Sequence, residues 1–97
     1  MNNYNLIVKQ EADQEIINAY NWYESKSEGL GERFLSALDD CFETIDINPA
    51  TYQKIYKEQR QAIVKTFPFV VMYEHDNNDI IVYAVFDTNQ DPEKKLR

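Results

Sequence analysis

The chain is 97 residues long, which is enough for one hydrophobic core but not for two, so we predict a single domain over residues 1–97. Its only cysteine, Cys41, excludes an internal disulfide. No apolar run reaches the length of a membrane span or has the form of a signal peptide, so we expect a cytoplasmic protein without membrane contact. The net charge is −7, and residues 1–50 carry ten acidic and three basic residues. Because this charge is repelled by phosphate, we expect no direct binding to nucleic acid, although a local basic patch in the balanced second half stays open.

Helical periodicity dominates the first half of the chain. Residues 4–8 are rich in strand-forming residues, and from residue 10 to about residue 26 the apolar positions recur at helical spacing. A polar break ends at Gly29, and a second helical stripe begins at Leu30 and is terminated by Pro49. Two helices joined by so few residues predict an antiparallel helical hairpin.

Strand patterns replace the helical period after Pro49. We predict strands over residues 52–57, 60–66, 69–75 and 80–87, with a tight connection at residues 58–59 and a turn over residues 76–79. The predicted order is therefore βααββββ. It describes an α+β domain in which the N-terminal strand and the helical hairpin pack on one face of a mostly antiparallel sheet. The polar segment 88–97 carries no pattern that assigns it a structure.

Two of the predicted strands are apolar on both faces. Residues 69–73 and 80–86 are nearly continuous runs of apolar and aromatic side chains, whereas a half-solvated antiparallel strand alternates. Because two helices cover only one face of a sheet, we expect the other face to present apolar side chains to water, which is typical of an interaction site. In the alternative interpretation, the strand ends curl and the C-terminal segment covers that face.

Six sequence fragments resemble the RelE/ParE superfamily of toxins from type II toxin–antitoxin modules, which are often described as plasmid stabilisation proteins. The fragments cover almost the whole chain and are AYNWYE (19–24), GLGERF (29–34), NP (48–49), Arg60, FPFVVMY (67–73) and VFDTNQDP (85–92). The resemblance implies the βααββββ fold and a cognate antitoxin that wraps the sheet and helices. In this superfamily, RelE-like members cut mRNA on the ribosome, whereas ParE-like members inhibit DNA gyrase.

The sequence departs from the superfamily pattern in its last-strand motif. Asp87 stands where many relatives have a histidine, and Gln90 stands where they have an arginine, so a potential proton carrier and a cation are missing. Cleavage of RNA needs such groups around the scissile phosphate. With its ParE-like segments 29–31 and 67–69, the chain is predicted to act by binding and inhibiting gyrase, not by catalysis. The alternatives are a ribosome-dependent endoribonuclease and a degenerate, non-toxic homologue that still binds antitoxin.

Candidate contact residues follow from this resemblance and from the apolar strands. The candidates for target binding are Arg60, Lys65, Tyr73, Asp87, Lys94 and Lys95. The candidates for antitoxin contact are Trp22, Tyr23, Val71 and Tyr83. Arg60 and Tyr73 occupy recurring superfamily positions, but each also has a structural alternative: a surface arginine paired with Glu58 or Glu74, and a sheet aromatic that packs against its neighbours.

Other reactive side chains predict no further site. His75 flanks a turn and does not occupy the position of the superfamily's histidine, and Cys41 lies on the apolar stripe of the second helix. The acidic residues Asp39, Asp40 and Glu43 lack the glycine and the alternating oxygens of a calcium loop. We therefore predict no metal and no cofactor.

Charge also predicts the chemistry of the partners. Because the helical half is acidic, an antitoxin segment lying on the helices should be basic or largely apolar, since like charges across an interface are costly. A second copy of the chain on the apolar sheet face, giving a homodimer, is a further possible partner. The endoribonuclease alternative requires Arg60, Lys54, Lys57 and Lys65 to cluster on one concave face.

Overall fold

The computed structural model describes residues 3–88 and confirms the predicted order βααββββ. The elements are β1 (Asn5–Val8), α1 (Gln10–Lys26), α2 (Leu30–Ile47), β2 (Lys54–Tyr56), β3 (Gln59–Val64), β4 (Phe69–Asp76) and β5 (Asp79–Asp87). Within these residues the strands form one sheet in the order β1-β5-β4-β3-β2, in which β1 pairs with β5 in parallel and the other pairs are antiparallel. Neither helix of the described part is apolar enough over its length to cross a membrane.

The strands β2 and β3 are shorter than the sequence predicts. Before β2, the guanidinium of Arg60 donates a hydrogen bond of 2.6 Å to the backbone carbonyl of Tyr52, and residues 51–52 form a bend instead of a strand. Lys57 forms the turn between the two strands with a φ of 52°. Thr66, with a φ of 76°, ends the extended backbone after β3 before Pro68 is reached. The helix boundaries, by contrast, agree with prediction.

A carboxylate on α1 caps the start of α2. The two oxygens of Glu24 accept hydrogen bonds from the backbone N–H groups of Gly29 and Gly31, each at 2.9 Å. These groups lie at the N-terminus of α2, where backbone donors have no partner inside the helix and a negative charge is favourable. A Cβ atom on Gly31 would lie 2.9 Å from a Glu24 oxygen and from the Tyr20 ring. The absent side chain at Gly31 therefore lets the two helices approach.

The main hydrophobic core lies between the helical hairpin and one face of the sheet. Four aromatic side chains meet at its centre with ring centroids 4.9–6.0 Å apart: Tyr23, Phe34, Phe67 and Phe69. Aromatic pairs at these spacings are favourable beyond the area that they bury. The helical stripe residues Phe34, Leu38, Cys41 and Ile45 are all buried in this core, as the sequence predicts.

The second face of the sheet carries its own buried cluster. Val70 lies opposite Phe86 and Met72 lies opposite Ala84 on neighbouring strands, and all four side chains are buried. The prediction that this face is open to water is therefore wrong at these positions. The C-terminal segment, which covers this face in the alternative interpretation, lies outside the described residues except for Thr88. Ile63 on β3 remains 64 % exposed.

Two candidate contact residues on β4 belong to the main core. Val71 and Tyr73 have no exposed surface and lie on the face covered by the helices. The Tyr73 hydroxyl donates a 2.6 Å hydrogen bond to the buried carbonyl of Pro49, and burial raises the pKa of Tyr73 to about 12. Neither side chain presents surface to a partner in this structure, which differs from the sequence prediction and agrees with the structural alternative for Tyr73. Burial likewise raises the pKa of the Cys41 thiol to about 11.

Removing the Glu24 carboxylate should weaken the helical hairpin. We expect Glu24→Ala to lower the free energy of unfolding by about 1–2 kcal/mol, because two N–H groups at the start of α2 lose a charged acceptor. Urea denaturation followed by circular dichroism measures the change. The control is Glu28→Ala, an exposed carboxylate nearby, which should change stability by less than about 0.5 kcal/mol. Equal losses in the two variants would contradict the capping role.

The Tyr73 hydroxyl is expected to contribute to stability. Tyr73→Phe should lower the free energy of unfolding by about 1–2 kcal/mol, because the buried Pro49 carbonyl loses its donor. The half-buried Tyr83 offers a matched control, and Tyr83→Phe should leave stability within about 0.5 kcal/mol of the wild type. The same urea titration compares both. A Tyr73→Phe variant as stable as the wild type would show that this hydrogen bond is not formed.

Candidate functional site

A cleft lies between α1 and β5, and β5 carries a bulge close to it. Tyr73 on β4 lies opposite Val82, and Met72 lies opposite Ala84, so Tyr83 is an extra residue in β5. Immediately after this bulge, the N–H of Val85 donates a 3.0 Å hydrogen bond to the carboxylate of Glu15 on α1. The helix is thus attached to the strand beside the point where the sheet is irregular. We call the space next to this bond the α1–β5 cleft.

The α1–β5 cleft has an aromatic and acidic lining. It encloses about 360 Å³, and its lining includes Glu15, Trp22, Tyr23, Phe69 and Asp87. Trp22 is 57 % exposed, although its ring packs edge-on against Tyr23 at 5.0 Å. An exposed tryptophan beside buried aromatic side chains is the kind of surface that binds another protein.

Three predicted contact residues come together in this cleft. Trp22 and Tyr23 were predicted to contact antitoxin and Asp87 to contact a target, and the structure places them in one lining. Asp87 is half-buried at the end of β5, opposite Phe69. Burial raises the pKa of Tyr23, and the negative charge of Asp87 adds to that effect. Tyr23 itself is a buried member of the core and presents little surface.

The basic candidates of the second half gather only in part, since Lys54 lies directly opposite Arg60 on the neighbouring strand. Arg60 lies opposite Tyr73, on the side of β3 that faces the helices, and strand alternation puts Lys65 on the other side. Arg60 is bound to the Tyr52 carbonyl, and Lys54 forms a 2.9 Å ion pair with Glu58. The four residues that the endoribonuclease alternative requires on one concave face therefore do not all lie on the same face of the sheet. The predicted pairing of Arg60 with Glu58 or Glu74 is replaced by the Tyr52 carbonyl.

The remaining candidates have separate surroundings. Tyr83 is half-buried, and its pKa is raised by burial and by the charges of Glu74 and Asp76. His75 is exposed, and its ring nitrogen lies 2.9 Å from the carbonyl oxygen of Asn77. Lys94 and Lys95, together with Gln90 of the departing motif, lie outside the described residues. Within residues 3–88, no group of three metal-ligating side chains is close enough to hold a metal ion.

A second concave surface was missed by sequence reasoning. It lies between α2 and β3, encloses about 450 Å³ and is lined by residues that include Asp40, Glu43, Ile47, Ile63 and Lys65. We call it the α2–β3 groove. Its two isoleucines are among the most exposed large apolar side chains of the described chain. The sequence contained one signal for this surface. Ile47 lies off the apolar stripe of α2, and Ile63 points to the opposite side of β3 from the buried residues Ala62 and Val64.

Comparisons with known proteins agree with this architecture. The family described as "ParE toxin of type II toxin-antitoxin system, parDE" matches residues 6–92. Among solved structures, the chain is similar to one described as "Chromosomal ParDE TA system from P. aeruginosa", with a TM-score of 0.65 and 15% sequence identity. That similarity covers 88% of this chain and 96% of the other. The search of curated proteins found no match.

The extent of the family match decides the assignment. It begins in β1 and continues beyond β5, so it includes both helices and every strand described above. It also includes the α1–β5 cleft and the α2–β3 groove. The structural similarity, at low sequence identity, supports the fold. The chain therefore belongs to the ParE toxin family of type II toxin–antitoxin systems.

Proposed function

We propose that the chain is a toxin that binds and inhibits DNA gyrase without catalysing a reaction, and that a cognate antitoxin neutralises it. Membership of the ParE family supports gyrase as the target. The α1–β5 cleft is the proposed contact surface for the target. The antitoxin neutralises the chain by occupying the same cleft.

The observation that carries this proposal is the lining of the cleft. Glu15 and Asp87 make the cleft acidic, and Trp22 makes it apolar and aromatic. An acidic surface repels the phosphates of RNA, whereas an exposed tryptophan contributes strongly to binding between proteins. The separation of Arg60 and Lys65 onto opposite faces of β3 also disfavours the endoribonuclease alternative.

Trp22 is the side chain through which the proposal is tested. More than half of its surface is exposed, so its removal should leave the fold intact. A surface tryptophan at the centre of an interface contributes about 2–4 kcal/mol to binding, which corresponds to at least a 30-fold loss of affinity when it is removed. The control is Ile17→Ala, which removes an exposed apolar side chain from the same helix but outside the cleft lining.

Induced expression in a bacterial host should separate the possible functions. We expect the wild-type chain and Ile17→Ala to arrest growth and DNA replication while translation continues, and Trp22→Ala to relieve the arrest. Growth, DNA content and incorporation of labelled amino acids are measured together, and soluble yield confirms folding. Immediate loss of translation would instead indicate an endoribonuclease. Normal growth with soluble wild-type chain would indicate a non-toxic homologue that binds antitoxin.

A further inference from the structure

The α2–β3 groove contains the open edge of a strand. The N–H of Gln61 points away from β4 and donates a 3.2 Å hydrogen bond to the carbonyl of Gln53. Pairing between β2 and β3 involves only Gln59 and Arg60 on the β3 side, so within residues 3–88 no strand lies against β3 beyond this point. Since backbone groups alternate in direction along a strand, the N–H and C=O of Ile63 point the same way as those of Gln61. They point away from β4, and Ile63 lines the groove.

The side chains around this edge suit an added strand. Ile63 on β3 and Ile47 at the end of α2 are 64 % and 68 % exposed, and both line the groove. An unpaired edge flanked by exposed apolar side chains is a template for a further strand. The groove therefore offers both backbone hydrogen bonds and apolar contact to an extended segment.

The charged side chains that line the groove indicate which charge an added strand should carry. Asp40 and Glu43 of α2 line the wall, and neither carboxylate forms an ion pair or hydrogen bond within residues 3–88. Lys65 also lines the groove, but strand alternation puts it on the Ile63 side of the sheet, away from α2. No basic residue lies in the last turn of α2. A segment with lysine or arginine at alternate positions could place these side chains towards both carboxylates while its backbone pairs with β3.

A second copy of the chain fits this groove less well. If two β3 strands paired around a two-fold axis and continued the sheet, both α2 helices would lie on the same side. Asp40 and Glu43 of one copy would then approach the same acidic side chains of the other. Like charges across an interface disfavour that arrangement.

We propose that the α2–β3 groove binds an extended, basic segment of the antitoxin as an additional strand on the open edge of β3. The inference rests on the proposed function, because it assigns the chemistry of the partner that neutralises the toxin. The contact is separate from the α1–β5 cleft, so one antitoxin chain could occupy both surfaces.

A peptide-binding experiment on the full-length chain tests the charge of the occupant. The probe is a fluorescein-labelled octapeptide of alternating lysine and valine, and its control alternates glutamate and valine. Fluorescence anisotropy should show at least tenfold tighter binding of the lysine peptide. Asp40→Lys should weaken that binding at least tenfold. Asp39→Lys makes the same change in net charge outside the groove lining, and it should leave the affinity within twofold of the wild type.

Backbone methylation of the probe tests strand addition without altering the protein. Methyl groups on one alternate set of peptide nitrogens should abolish binding, whereas methyl groups on the other set should not, because only one set faces β3. Equal binding of the two methylated peptides, or no binding of the lysine peptide, would overturn the proposal. So would a wild-type dimer that Ile63→Pro converts to a monomer, since a second copy would then be the occupant.

The peptide-binding experiment and the growth experiment test the two proposals separately. A chain that arrests growth but does not bind the lysine peptide would refute the strand-addition proposal and leave the toxin function intact. A chain that binds the peptide with the expected variant pattern but has no effect on growth would refute the gyrase proposal alone.

Discussion

The carboxylate of Glu24 joins α1 to the start of α2, and the positions of both concave surfaces depend on this contact. Its two oxygens bind the backbone of Gly29 and Gly31, and the missing side chain of Gly31 allows the close approach. With the hairpin fixed, Tyr23 and Phe34 meet over the sheet. One helix then forms the wall of the α1–β5 cleft, and the other forms the wall of the α2–β3 groove. A change at the hairpin would therefore alter both surfaces.

Sequence predicted the order of the elements and the helix boundaries, because a polar break and Pro49 interrupt a clear helical period. It could not predict which way the residues of β4 face. A strand that is apolar on both sides has no period to read, so Val71 and Tyr73 were expected at a surface and are instead in the core. The same ambiguity led to an open second face being predicted where Val70 and Met72 are buried.

The candidate site was only partly visible in the sequence. Trp22, Tyr23 and Asp87 were among the predicted contact residues, but their convergence depends on the bulge at Tyr83, which leaves no clear mark in a continuous apolar run. The partner of Arg60 was missed because it is the backbone carbonyl of Tyr52, and side-chain patterns cannot reveal a backbone acceptor. The shortness of β2, which leaves the edge of β3 open, has no side-chain pattern either, so the α2–β3 groove could not have been predicted.

The α1–β5 cleft and the α2–β3 groove have a similar electrostatic character. Acidic residues line both concave surfaces, while Arg60 and Lys54 are occupied within the described chain. We therefore propose that the chain acts by binding other proteins. The most direct measurement is a DNA supercoiling reaction with purified gyrase, into which the purified chain is titrated. We expect inhibition that depends on the ratio of chain to gyrase and is reversed by excess antitoxin. Undiminished supercoiling at a large excess of folded chain would contradict the account.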